Sequence, residues 1–189
     1  MKVLVLSDSH GNTTNFSRAI EKEGECKIVF FLGDGANDLE NMKKEFPGRT
    51  FIAVRGNNDF SGELDDFAYK HLEGNTIIAC HGHTVSVKRS LLPLLEKAES
   101  VRANVALYGH THRSDCFYDS YSKIFAVNPG AVYNGNYAVL ILEVLRTIED
   151  HFLVGLFAGQ VARVFGIGVG ARVAGEQRIE RIADADAAR

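Results

Sequence analysis

Five short clusters of Asp, Asn and His punctuate the 189-residue chain: Asp8-Ser9-His10, Gly33-Asp34, Gly56-Asn57-Asn58-Asp59, His81-Gly82-His83 and Gly109-His110-Thr111-His112. Together they offer carboxylate, amide and imidazole donors, the set that divalent metals take, and a two-metal site needs one carboxylate to bridge the ions. Asp8 and His10 lie two apart after an aliphatic run, so extended geometry would send both side chains to one face. The same alternation would put His110 and His112 together. Asp34 is the natural bridge, Asn57 offers an amide oxygen and His81 a further nitrogen. Glycines 33, 56 and 109 permit tight turns and close backbone approach. One such cluster alone is more often surface decoration. Five in this order, each after a strand-like run, point to a metal site built from Asp8, His10, Asp34, Asn57, His81, His110 and His112.

The elements that must position these residues alternate between strand and helix over the first 145 residues. Strands are expected at Lys2 to Leu6, Ile28 to Leu32, Thr50 to Val54, Phe67 to Leu72, Thr76 to Cys80 and Val105 to Tyr108, then at Ser114 to Tyr118, Lys123 to Val127 and Tyr137 to Val144. Helices are expected at Asn12 to Glu23, Leu39 to Glu45 (stopping ahead of Pro47) and Ser90 to Ala103, with Pro93 in its first turn. Glu73-Gly74-Asn75 reads as a hairpin turn. Such a pattern predicts an α/β fold with two mixed sheets packed together and helices outside. Clusters at strand ends converge on one sheet edge, where ligands commonly bind.

The length suits one domain with a real core. A net charge of -3 shows no basic character of the kind broad nucleic-acid binding needs, so stable nucleic-acid binding is not expected. Cys26, Cys80 and Cys116 follow neither a disulfide nor a CxxC pattern and read as reduced, packed thiols; Cys80, at the end of an apolar run, fits packing better than nucleophilic catalysis. Only four apolar residues precede Ser7, too few for a signal peptide, and a cytoplasmic protein with no membrane association is the expectation.

The segment 146–189 has a different character. After Tyr137 the chain contains no Lys, Asn, Tyr or Pro and turns rich in Ala, Gly, Val and Arg. Lys, Asn and Tyr share A/T-rich codons, so their joint loss suggests an altered reading frame or a fused segment. An ordinary C-terminal helix with a disordered end is the competing reading. A membrane span from Phe152 to Gly170 is a third, disfavoured by Arg163, which would cost about 2.5–3.5 kcal/mol at the bilayer centre.

At the five clusters the chain resembles the calcineurin-like metallophosphoesterase superfamily, whose successive signatures are D-x-H, G-D, G-N-x-[DE], a His before Gly, and G-H-x-H. Spacing, length and Asn128-Pro129-Gly130 look most like its small bacterial and archaeal phosphodiesterase branch. The resemblance covers about residues 1–145 and not the tail. It implies a four-layer sandwich of two mixed β-sheets flanked by helices, with two divalent ions at the strand ends. Mn2+ is the first expectation, and Ni2+, Fe2+, Zn2+ and Mg2+ are alternatives. One ion would take Asp8, His10, Asp34 and His112; the other would take Asp34, Asn57, His81 and His110. A bridging hydroxide would then attack phosphorus, making the protein a phosphodiesterase acting on a small, nucleotide-like diester.

Asn57, His81, Asn58 and His83 are the residues expected to act in catalysis. Asn58 stands where many superfamily members carry a His thought to protonate the leaving group, which would favour substrates with good leaving groups. His83, Asp38 and Asp59 are expected mainly to orient ligands, and Arg55 and Arg113 are candidates for phosphate contact. The branch is also similar to the retromer subunit that keeps this fold for assembly, so a protein-interaction scaffold is the alternative in another class, beside a phosphomonoesterase or a nuclease. Self-association is left open.

Overall fold

The computed structural model describes residues 1–60, 62–142, 153–157 and 160–164. Along the chain the elements are β1 (Lys2–Leu6), α1 (Thr13–Lys22), β2 (Ile28–Phe31), α2 (Ala36–Glu45), β3 (Thr50–Ala53), β4 (Phe67–Leu72), β5 (Asn75–Cys80), α3 (Leu92–Ser100), β6 (Val105–Leu107), β7 (Ser114–Asp119), β8 (Ile124–Pro129), a 3-10 turn at Val132–Asn134, β9 (Ala138–Leu142), β10 (Leu153–Phe157) and β11 (Gln160–Val164). The first sheet has the order β11-β10-β9-β1-β2-β3 and the second β4-β5-β6-β8-β7. In the first, β1, β2 and β3 run parallel and β9 antiparallel to β1; in the second, β5, β6 and β8 run parallel between antiparallel edges.

Period-two alternation explains how a run as short as Val-Leu-Val-Leu holds two layers together. Val3 and Val5 face the inter-sheet core with Phe30, Leu32, Ile77, Ala79, Leu107, Val127 and Leu140. Leu4 and Leu6 face the other way, into a cluster with Phe16 and Ile20 of α1 and Leu39 and Met42 of α2. Phe16 and Phe31 stack there with centroids 4.9 Å apart, and truncating either to Ala would cost about 3–5 kcal/mol. On the far face of the second sheet, Ile78, Cys80, Ala106 and Ala126 pack against Leu94, Leu95 and Ala98 of α3. The result is helix, sheet, sheet, helix, as the alternating pattern predicts.

Local signals set the boundaries. Asn12 Oδ1 accepts from the Asn15 N–H at 3.1 Å and caps α1. Glu73 and Gly74 both have positive φ, 49° and 75°, and turn β4 into β5 as a two-residue hairpin loop. α2 begins at Ala36 rather than Leu39, where Asp59 Oδ1 accepts the N–H groups of Gly35 and Ala36 at the helix start. In the tail, 153–157 and 160–164 pair as strands beyond β9 rather than as a helix. The boundary near residue 145 and most of the suspected frame-altered or fused segment lie outside the described residues. Among the described residues no helix is long and apolar enough to cross a membrane.

Candidate metal centre

All five clusters follow strands whose C-terminal ends meet along one edge of the sandwich. Asp8 and His10 follow β1, Asp34 follows β2, and Asn57 and Asn58 follow β3. His81 and His83 follow β5, and His110 and His112 follow β6. The two sheets are tied together at this edge. His110 N–H donates to Asp8 Oδ2 at 3.1 Å, and His81 Nδ1 lies 2.7 Å from the Leu32 carbonyl. Gly109 makes the approach feasible, since a Cβ there would overlap the Ser7 hydroxyl oxygen. Gly56 does the same between β2 and β3, where a Cβ would overlap the Asp34 carboxylate and backbone nitrogen.

Extended alternation does not bring the ligands together. Asp8 (φ 57°), His10 (46°), Asp34 (60°), His110 (67°) and His112 (60°) all adopt the left-handed region. Each strand ends before its ligands, so turns rather than pleating aim them. Such backbone costs about 1–3 kcal/mol per non-glycine residue and persists only where the surroundings over-determine it. Five of the nine such residues among those described belong to this cluster, and this concentration marks a functional site independently of side-chain chemistry.

The donor atoms crowd into a small volume. Asp8 Oδ1 lies 3.1 Å from His112 Nε2, 3.7 Å from His10 Nε2 and 3.9 Å from His81 Nε2. Asp34 Oδ2 lies 3.5 Å from His81 Nε2 and 3.9 Å from His10 Nε2. His10 and His112 bring their Nε2 atoms within 3.2 Å of one another, and Asn57 Oδ1 stands 3.1 Å from His81 Nε2. Two ligand groups result, Asp8-His10-His112 and Asp8-Asp34-His81. They share Asp8, while Asp34 Oδ2 also reaches both sides. His110 joins neither group; its ring stands beside that of His81, centroids 4.9 Å apart. The His83 ring is 5.5 Å from His81 and 6.2 Å from His110, in the wall of the site.

These residues fit a bound cation. Asp8 is completely buried, yet its Oδ1 has no hydrogen-bond partner, a state that costs free energy unless a positive charge completes it. His81 must donate Nδ1–H to the Leu32 carbonyl, because a carbonyl only accepts. Its Nε2 is thereby left facing two carboxylates, the arrangement of a metal-ligating His fixed by a backbone carbonyl. In the absence of a cation, protonation would let that nitrogen donate to the carboxylates. Burial opposes it, but the carboxylates of Asp34 and Asp8 outweigh burial and raise the His81 pKa. Burial likewise pushes Asp34 up, yet hydrogen bonds from His81 and Asn58 prevail and hold its carboxyl well below the usual range. Burial and the charge of His81 push His110 down to about 4, which keeps it neutral at physiological pH; the same two causes lower His83.

Further residues hold the loops. The Asp59 carboxylate accepts the N–H groups of Asp34, Gly35, Ala36 and Gly56 at 2.8–2.9 Å, pinning the β2 and β3 loops together. Asp38 accepts from the Ser9 hydroxyl and the Gly11 N–H, fixing the β1 loop. Both carboxylates thus anchor the loops that carry the candidate ligands. Arg55, a candidate for phosphate contact, pairs with Asp66, its Nε and Nη2 at 3.0 and 2.7 Å from one oxygen. Arg113 is exposed. Cys80 is fully buried in the cluster against α3, and burial raises its thiol to about 12.

Sequence reasoning missed three neighbours of the ligands. Ser7 donates to Asp8 Oδ2. Asn128, fully buried, donates to the Gly109 carbonyl and the Thr111 hydroxyl and so shapes the Gly-His-Thr-His loop. Tyr133 stands beside His10 and His112. Only the motif Asn128-Pro129-Gly130 carried a legible signal.

Residues 1–146 match the calcineurin-like phosphoesterase superfamily domain. The chain belongs to that superfamily. Among curated calcineurin-like relatives, the probable metallophosphoesterase YsnB of Bacillus subtilis is 29% identical over 149 residues, covering 76% of this chain and 85% of its own. A phosphodiesterase of Methanocaldococcus jannaschii is 28% identical over 149 residues, covering 69% of this chain and 83% of its own. Among solved structures, Vps29 of Chaetomium thermophilum superposes with a TM-score of 0.68 at 18% identity, over 86% of this chain and 88% of that one. This last likeness speaks for the fold alone. Membership makes the chain a metallophosphoesterase, and divalent metals are the cofactors of its family.

Proposed function

We propose that the protein is a phosphodiesterase working at a two-metal centre, with Asp8, His10, Asp34 and His112 holding one ion and Asp34, Asn57, His81 and His110 the other. The observation that carries this reading is the position of Asp34 Oδ2 between the two sides, 3.9 Å from His10 Nε2 and 3.5 Å from His81 Nε2. Asn58 supports the bridging role, because its N–H and amide donate to the two Asp34 oxygens at 2.8 and 2.7 Å and fix the carboxylate's plane. Asp8 Oδ1 has comparable reach, so it is the competing bridge. Divalent ions held there would supply a water of lowered pKa as nucleophile and neutralise charge on the phosphoryl oxygens. The chain's own residues set the rest. His81 is held in one tautomer by Leu32, His110 is kept neutral by burial, and His83 lines the wall.

The preference for diesters rests on the named phosphodiesterase relative; Asn58, which cannot act as an acid, suits good leaving groups. A small, nucleotide-like diester is the proposed substrate and Mn2+ the first candidate ion. The three reduced-type cysteines favour the cytoplasm. The test is metal analysis of protein purified without chelator, then turnover of a panel of mono- and diesters with added Mn2+. About two ions per chain and diester turnover are expected, both lost in Asp34→Asn. Full stoichiometry in Asp34→Asn but not in Asp8→Asn would move the bridge to Asp8. Preference for monoesters would make it a phosphomonoesterase, and loaded protein without turnover would favour the scaffold reading.

A further inference from the structure

Tyr133 is fixed in place by backbone bonds while its ring stays half open to solvent. The Val132–Asn134 turn is anchored by fully buried Val132, whose N–H donates to the Ser7 carbonyl at 2.8 Å. The Tyr133 N–H donates to the Asp8 carbonyl at 3.2 Å. Its own carbonyl accepts the side-chain amides of Asn12 and Asn15 at 3.1 and 2.9 Å. The backbone is thus tied to the residues on either side of the first ligand loop, and the residue is 44% exposed. That ring stands 6.2 Å from His10 and 6.3 Å from His112, nearly edge-on to both, and these two imidazoles are 5.1 Å apart.

No requirement of packing explains an aromatic ring here. Tyr133 adds little to the buried core, and its backbone bonds would survive any side chain. A group attached to a phosphate seated between His10, His112 and Asp34 must leave the site past its neighbours. Tyr133 is the large exposed aromatic beside both imidazoles. Aromatic side chains bind flat rings with little entropic loss, having two side-chain torsions to fix, and stacking on them tolerates different bases.

We propose that Tyr133 is a specificity residue that receives a planar ring on the substrate, so that the preferred diesters carry a nucleoside on the ester arm that is retained. This rests on the phosphodiesterase reading above and deepens it. The phenolic ring, not the hydroxyl, does the recognising.

The test compares two substrates with the same leaving group, a nucleoside 5′-p-nitrophenyl phosphate and methyl p-nitrophenyl phosphate, on the Mn2+-loaded full chain. The ratio of their kcat/KM values isolates recognition of the retained arm. Wild type should favour the nucleoside ester. Tyr133→Phe should keep the preference, and Tyr133→Leu should lower it by about 5- to 150-fold, the span that stacking on one aromatic gives on truncation. The loss should appear mainly in KM. An unchanged ratio in Tyr133→Leu overturns the proposal, as does a loss in Tyr133→Phe, which would assign the role to the hydroxyl. Metal analysis of both variants excludes a collapsed site, and a fall in metal content matching the fall in both activities would make Tyr133 a mere support of His10 and His112. Wild type that turns over neither diester would sink the phosphodiesterase reading itself, whereas turnover without a nucleoside preference sinks only this inference.

Discussion

Replacing Asn58 by His installs the acid that many relatives have at this position, and the structure sets the size of two opposing effects. Asn58 donates twice to Asp34, at 2.8 Å from its backbone and 2.7 Å from its amide. The backbone bond survives substitution and the amide bond does not. Losing a hydrogen bond to a charged acceptor costs about 1.5–3 kcal/mol, and the exposure of Asn58 puts the loss at the low end. Metal affinity should therefore fall about tenfold, or Tm by roughly 3–6 °C. This penalty is the same for every substrate. The gain is not, because a general acid helps most where the leaving oxygen is most basic, by up to about 10²–10⁴-fold. Aryl diesters with acidic phenols should become slower or stay level, and alkyl diesters should become faster, so the two lines of log kcat/KM against leaving-group pKa should cross. Asn58→Ala supplies the control, with the penalty alone and a line parallel to wild type. The assay is kcat/KM across graded aryl and alkyl phosphodiesters at saturating Mn2+. Parallel lines for Asn58→His and wild type would show that an imidazole at 58 cannot reach the leaving oxygen. A flat wild-type series with chemistry rate-limiting would mean that another residue already supplies the proton; His83, in the wall of the site beside His81 and His110, is the first to test.

Gly56→Ala places a Cβ on the Asp34 carboxylate and should cost about 1–3 kcal/mol in overpacking with loss of metal binding; wild-type metal content would show that β3 can shift away. Truncation after Arg146 removes β10 and β11 and bares the edge of β9, so solubility should suffer while metal binding persists, because every ligand lies on the loops after β1, β2, β3, β5 and β6; a truncated chain that folds but binds no ion would contradict this. For chelated protein, the His81–Asp34 interaction should stabilise most between about pH 4 and 6.5. Asp34 has a depressed pKa, so its share is present above the unfolded value near 3.9 and is lost as pH falls through the folded one. His81 has a raised pKa, so its share is present below about 6.5 and is lost as pH rises through the folded value. Urea midpoints from pH 3 to 9 check this, and Asp34→Asn should flatten both limbs.

The donor set was legible in the sequence because metal chemistry restricts it to few residue types, and because each cluster sits where an apolar run stops. Asp8 after Val-Leu-Val-Leu and His110 after Val-Ala-Leu-Tyr are local signals that need no partner to be read. Layering was legible for the same reason, since Val3 and Val5 must face opposite to Leu4 and Leu6 in any strand. Aim was not legible. Period-two alternation would have carried Asp8 with His10 and His110 with His112 along extended backbone, but all four adopt left-handed φ. The loops that hold this conformation are tied to distant segments, the Asp8 N–H donating to the Gly33 carbonyl and the Gly109 N–H to the His81 carbonyl, which no local window contains. The pairing of Arg55 with Asp66, at 2.7 Å, carried no sequence signal. Tyr133, 123 residues after His10, shares no motif with it and meets it only because β9 returns to lie beside β1. Residue chemistry is a property of the local sequence, whereas which atoms converge depends on strand order and register, fixed by long-range burial between two sheets.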